Sequence, residues 1–196
     1  WVLSEEDFLK DHNVFSFLKL RASWGQSGNA DIGNFPSLGL FNAGNYNGSS
    51  TLQPDQIANP GLTWEKSTES DFGLDFGLFG NRLTGEIDYY VKNTTDLLLN
   101  VPVPATSGFT TQTQNIGEIQ NKGWEFTLTS NNLVGAFKWT TSFNLALNRN
   151  KVISLADGQD LIDDGGSRYM NVVKVGSPIG VFYGAEYAGV DPKNGD

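Results

Sequence analysis

The chain contains no cysteine, one methionine and one histidine, His12, among its 196 residues. The first absence excludes a disulfide framework and a thiolate metal site, while leaving the redox compartment open. With a lone histidine, a zinc centre or histidine-based triad has little to stand on; His12, beside an expected helix end, reads as a solvent-facing or capping residue. No run approaches the ~18 apolar residues of a membrane helix, which leaves a β-barrel open, since barrel strands alternate and keep mean hydropathy low. Lysine and arginine total 13 against 22 acidic residues, a net charge of −9. That balance speaks against nucleic acid, whose phosphates demand a basic face, and against electrostatic docking on anionic lipid.

What is present favours β structure. Glycine is frequent (23), aromatics make up 12%, and Asn and Thr recur, a mixture suited to strands and turns. The segment "SEEDFLKDH" (4–12) predicts a short helix with Ser4 as N-cap. Residues 15–26 alternate, with Leu18, Leu20, Ala22 and Trp24 against Lys19, Arg21 and Ser23. A Gly/Asn/Ser/Pro-rich stretch, 27–63, has no sustained period and reads as a long loop. Residues 67–79 alternate again, Gly80-Asn81 signals a two-residue turn, and a strand follows from Arg82 that can be drawn through Asn100. After a second loop (101–115), 121–130 and 136–150 alternate across a turn at Asn131-Asn132. An acidic loop (157–166) precedes two expected strands near 169–175 and 179–188. Long loops and short turns thus alternate, with no intervening helices, so the sheet is antiparallel and all-β.

The alternation places two chemistries on opposite faces. Arg82, Glu86, Asp88 and Lys92 mark one side of the strand from Arg82; Leu83, Ile87 and Tyr89 mark the other. Glu125, Thr127, Lys138 and Asn144 oppose Phe126, Trp139 and Phe143 in the later runs. Two architectures fit: a soluble carbohydrate-binding β-sandwich with the apolar set as core, or a transmembrane barrel with the apolar set toward lipid. Alternating runs beyond ten residues exceed the ~5–6 of ordinary strands. The mixed charges of the polar face suit an aqueous lumen, and the bulky rings suit interface belts. These features favour the barrel.

Five blocks carry a family resemblance: "FLKLRASWGQSGN" (17–29), "NPGLTWEKSTESDFGLDFGLFGNRLTGEIDYYVKNTTDLLLNVPVPATSGF" (59–109), "NIGEIQNKGWEFTLTS" (115–130), "FNLALNRNKVISL" (143–155) and "VGSPIGVFYGAEYAGVD" (175–191). In this order they resemble the SusC/RagA-type TonB-dependent outer-membrane transporters of Bacteroidetes. The resemblance implies that residues 1–196 form part of a 22-stranded antiparallel transmembrane β-barrel, the plug and final strands lying outside the chain, which starts at Trp1 without an initiator methionine. It implies extracellular long loops (27–63, 101–115, 151–168) and periplasmic short turns. It also implies import of glycans or peptides across the bacterial outer membrane, with a SusD-like surface lipoprotein as partner and TonB–ExbB–ExbD acting through an upstream region. On this reading Arg82, Glu86, Asp88, Lys92, Glu125, Thr127, Lys138 and Asn144 face the lumen; Leu83, Ile87, Tyr89, Phe126, Trp139 and Phe143 face lipid.

Catalysis finds little support. Glu86 with Asp88, or Asp71 with Asp75, share a strand face, but Arg82 and Lys92 beside them make a charge network the simpler account. No cofactor is expected. Asp157, Asp160, Asp163 and Asp164 offer oxygen ligands for Ca²⁺, yet their spacing departs from the D-x-[DN]-x-[DN]-G loop, and a solvated acidic loop is the default. Phe35, Tyr46, Phe109 and Tyr169, with Phe41, are loop aromatics able to stack on a sugar or peptide side chain, or on one another.

Overall fold

The computed structural model describes residues 1–10, 13–156, 159–162, 171–184, 186–187, 189–190 and 193. Among these residues twelve strands run in chain order: β1 (Phe15–Asn29), β2 (Leu40–Tyr46), β3 (Ser49–Gln56), β4 (Glu65–Leu78), β5 (Leu83–Thr95), β6 (Leu98–Pro102), β7 (Thr111–Asn115), β8 (Glu118–Val134), β9 (Lys138–Ser154), β10 (Leu161–Ile162), β11 (Asn171–Lys174) and β12 (Val181–Phe182). The long strands β1, β4, β5, β8 and β9 form one antiparallel sheet in that order. The hairpins β2/β3 and β6/β7 occupy the β1–β4 and β5–β8 connections, and the small β10–β11–β12 sheet follows β9.

Register turns the alternation into continuous rows. One row crosses the sheet through Leu18, Phe76, Gly85, Leu128 and Phe143, the next through Leu20, Leu74, Ile87, Phe126 and Leu145, and a third through Ala22, Phe72, Tyr89, Trp124 and Leu147. The third row carries a tilted ring pair, Tyr89 and Trp124, with centroids 4.8 Å apart. Among the described residues only Val152, Ala156 and Val172 are buried apolar side chains, whereas Phe72 and Phe143 are 57% and 54% exposed. A sandwich would press a second sheet onto these rows, and among the described residues none covers them. The sheet is an antiparallel β-barrel segment. From Trp139 to Leu147, β9 supplies the low end of the ~9–11 tilted residues that cross a bilayer.

Several expectations are corrected. The stretch 27–63 contains the β2/β3 hairpin around Asn47-Gly48, both at positive φ (50° and 81°); that dipeptide is the strongest short hairpin signal. The strand expected through Asn100 stops at Thr95, because Asp96 turns left-handed (φ 56°) and the chain leaves to pair as β6/β7. The second loop is therefore also a hairpin. Asn131-Asn132 is not a turn: it sits at a bulge within β8, where Asn131 accepts from Thr140 Oγ1 (2.9 Å) and Asn132 donates to Thr141 Oγ1 (2.8 Å). The reversal falls at 135–137. Between β4 and β5 the turn is wider than two residues, with Phe79, Gly80 and Asn81 all at positive φ. Gly80 is the member that fits this conformation without steric cost, and its N–H donates to Ser16 Oγ at 2.7 Å. At the start of the chain the expected helix is a 3-10 turn, Leu3–Glu5, without a side-chain cap. His12 lies outside the described residues.

Candidate functional site

The opposite face of the sheet collects the charged rows. Lys19, Asp75, Glu86, Thr127 and Asn144 form one; Arg21, Gly73, Asp88, Glu125 and Ala146 form the next; Gly25, Glu69, Lys92, Asn121 and Asn150 lie further along. Register thus brings Glu86, Asp88, Lys92, Glu125, Thr127 and Asn144 onto one face, with Lys138 in phase at the start of β9. Arg82 stands apart in the β4–β5 turn, where its guanidinium donates to Asn132 O at 2.8 Å and, more weakly, to Asn131 O.

Arg21 is the centre of this face. Its Nη2 lies 2.7 Å from Asp75 Oδ1 and 2.8 Å from Asp88 Oδ1, and its Nε donates to Asp75 Oδ1. Lys19 Nζ stands 3.6 Å from the other Asp75 oxygen. To reach Asp88 the guanidinium must cross β4, and it crosses over Gly73, its register partner. A Cβ on Gly73 would lie 2.6 Å from Arg21 Cζ and would also overlap Asp88. Glycine is what lets one cation join carboxylates on two strands. Two rows further along the same face, Lys92 meets Glu69 at 3.7 Å. Asp75 and Asp88 are part-buried, at 17% and 18% exposed, so their shared cation both orients them across the wall and keeps them paired. The more exposed Lys19 and Lys92 pairs contribute at most ~1 kcal/mol each. The network engages Asp75 and Asp88 with cations, the opposite of an isolated carboxylate pair set up for proton transfer.

Beyond one end of the long strands the two long connections are tied together. Asn115, the last residue of β7, donates through Nδ2 to Thr63 O (2.7 Å) and Asp96 O (3.0 Å), and its Oδ1 accepts from Thr63 N (2.6 Å). Asn59 donates to Thr113 O and Gln112 to Ala58 O, both at 2.8 Å. Glu65, at the start of β4, accepts from Leu98 N (3.0 Å) and Asn29 Nδ2 (2.9 Å). These clamps were not legible from sequence, because each joins residues some fifty positions apart or depends on a corner such as Asp96. Replacing Asn115 by Ala is expected to remove both hydrogen bonds to the exposed Thr63 backbone, whose groups then turn to water, at ~0.5–1.5 kcal/mol per bond. Hydrogen exchange at 58–63 and 111–115 should then accelerate together, while the long strands keep their protection.

Among the loop aromatics, Tyr46 is 78% exposed at the tip of the β2/β3 hairpin, and Phe35 is exposed at a left-handed corner. Phe109 is half-buried beside the Ala105–Ser107 turn. Tyr169 lies outside the described residues, as do Asp157, Asp163 and Asp164 of the acidic loop. The structure does not bring Phe35, Tyr46 and Phe109 into one ring cluster. Among the described residues no group of His, Asp and Glu is disposed as a metal site.

The family model for TonB dependent receptor-like, beta-barrel proteins matches residues 11–190. TonB-dependent receptor P3 of Formosa agariphila is 41% identical across 97% of this chain, which covers 20% of that relative. TonB-dependent receptor SusC of Bacteroides thetaiotaomicron is 38% identical across 93% of the chain and 20% of its own length. Among solved structures, the RagAB peptide importer in its closed-closed state superposes with a TM-score of 0.84 at 34% identity, covering 97% of this chain and 21% of that one. The chain spans about a fifth of the length of these relatives. Long antiparallel strands, a bare apolar face, a charged opposite face and these matches converge: the chain belongs to the TonB-dependent receptor-like β-barrel family, in its SusC/RagA-type branch.

Proposed function

We propose that this chain is part of the wall of an active transporter in the bacterial outer membrane, importing oligosaccharides or peptides with a SusD-like surface lipoprotein as partner. TonB–ExbB–ExbD would supply the drive through a region outside this chain. The observation that carries the reading is the two-faced sheet: three apolar rows that no second layer covers among the described residues, back to back with rows of mixed charge. Lipid satisfies the first face, and a water-filled or plugged lumen satisfies the second. In this reading Glu86, Asp88, Lys92, Glu125, Thr127, Lys138 and Asn144 belong to the lumenal surface, and Leu83, Ile87, Tyr89, Phe126, Trp139 and Phe143 to the lipid surface. The tied hairpins lie outside the cell, where Tyr46 and Phe35 meet substrate or partner. The similarity to RagAB, a peptide importer, supports a peptide substrate; it does so by analogy of fold and sequence. No cofactor enters the scheme.

The test uses the full-length protein. It should remain with the outer membrane until detergent is added and should shift in gel migration on boiling. Cells that carry it should take up labelled peptide or oligosaccharide only while TonB is present. Release into plain buffer would remove the transporter reading and restore the soluble sandwich.

A further inference from the structure

The net charge of −9 conceals a local excess of the opposite sign. On the apolar face, the row beyond Tyr89, Trp124 and Leu147 runs through Trp24, Ser70, Val91, Lys122 and Arg149, and the next runs through Gln26, Thr68, Asn93, Gln120 and Lys151. Neither row contains a carboxylate. Lys19, Arg21, Lys66 and Lys92 each meet an acidic side chain. The side chains of Lys122, Arg149 and Lys151 are exposed and meet no carboxylate or side-chain hydrogen-bond partner among the described residues. Lys122 and Arg149 are direct register partners. Together with Tyr89, Gly123, Trp124 and Leu147 they line a concavity of about 380 Å³.

We propose that Lys122 and Arg149, with Lys151 beside them, form a binding site for the anionic, phosphorylated headgroup of a membrane lipid. The inference rests on the reading that the apolar rows face lipid. Two cations at the upper border of an apolar band select a ligand that is apolar below and anionic above. Their long stems can lie along Trp124 and Leu147 while the charged ends reach the headgroup level. Tyr89 and Trp124 are the ring types that settle at this depth, and a guanidinium offers the forked donors that fit phosphate oxygens. A soluble peptide or a nucleic acid would not sit on a surface whose lower half is immersed in hydrocarbon. The strand end in question carries the long connections, so the lipid is one of the outer leaflet.

The experiment uses the full-length transporter in nanodiscs of phosphatidylcholine containing a minor fraction of phosphatidylglycerol, with bound lipid counted by native mass spectrometry. The wild type should retain phosphatidylglycerol in preference to phosphatidylcholine. Lys122→Gln combined with Arg149→Gln should weaken that retention about twenty-fivefold, roughly fivefold for each charge removed. Lys174→Gln, on the small outer sheet, should leave it unchanged. Each sample is also run boiled and unboiled. If the double variant loses the heat shift, Lys122→Gln alone is measured and should lose about fivefold. No lipid preference in the wild type, or equal retention by an assembled variant, would overturn the proposal. So would inorganic phosphate binding alone at the same residues with no lipid retained, which would mark a free-anion site. A wild type without the heat shift would overturn the barrel reading itself, and this inference with it.

Discussion

Ile87→Arg is expected to abolish assembly of the barrel. Ile87 sits in the middle apolar row, between Leu74 and Phe126 in register and between Gly85 and Tyr89 along its own strand face. No carboxylate shares that row to receive a guanidinium, and in the proposed orientation the row lies well inside the apolar band, beyond easy reach of either interface. A lipid-facing arginine at midplane depth costs ~2–4 kcal/mol, a large share of the ~5–15 kcal/mol that separates most folded and unfolded proteins. The heat-shifted band of the full-length protein should be lost or strongly reduced in membranes. Glu86→Gln, one residue away on the opposite face, should assemble as wild type. An Ile87→Arg variant that assembles with unchanged resistance to urea would show that this face does not meet hydrocarbon.

Gly73→Leu is the second large effect. The new side chain would occupy the space through which the Arg21 guanidinium passes to Asp88. Either Arg21 swings away, leaving Asp75 and Asp88 without their shared cation, or β4 shifts against its neighbours. Overpacking of this kind costs ~1–3 kcal/mol, and the stranded carboxylates add to it. The urea midpoint of the full-length protein should fall accordingly. A double-mutant cycle identifies the cause: in an Arg21→Ala background, Gly73→Leu should cost less, because the obstructing group is gone. Equal costs in both backgrounds would mean that Gly73 serves the backbone and not the ion network.

The same two residues show what the sequence makes legible. Ile87 could be assigned to a face at once, since period-two alternation in a long strand is a local signal that survives into the fold. All five long strands were found that way. Gly73 could not: its purpose depends on which residues of β1 and β5 lie beside it, and that is a matter of register across residues 21 and 88. The β2/β3 hairpin escaped because "LFNAGNY" and "SSTLQPDQ" carry too few apolar residues to register as an alternation. Its Asn47-Gly48 turn was the available clue. Asn131-Asn132 misled for the complementary reason: asparagine favours turns in general, but here the side chains find Thr140 and Thr141 across the strand pair and the ladder continues past them. Arg82 continued the alternation on paper, but it falls just outside β5, and so it pins a turn. Of the candidate site, then, facing was readable and partnership was not.

The clamp at Asn115 has an implication for how such a wall can diverge. Its amide is shared between the β1–β4 connection and the β5–β8 connection, and Asn59 and Gln112 repeat the tie in both directions. A chimera that exchanges one connection alone would inherit half of each bond and strand amides that have no second partner. The natural module for grafting new recognition onto this wall is therefore the whole stretch 30–117, hairpins and intervening strands together, transplanted as a unit.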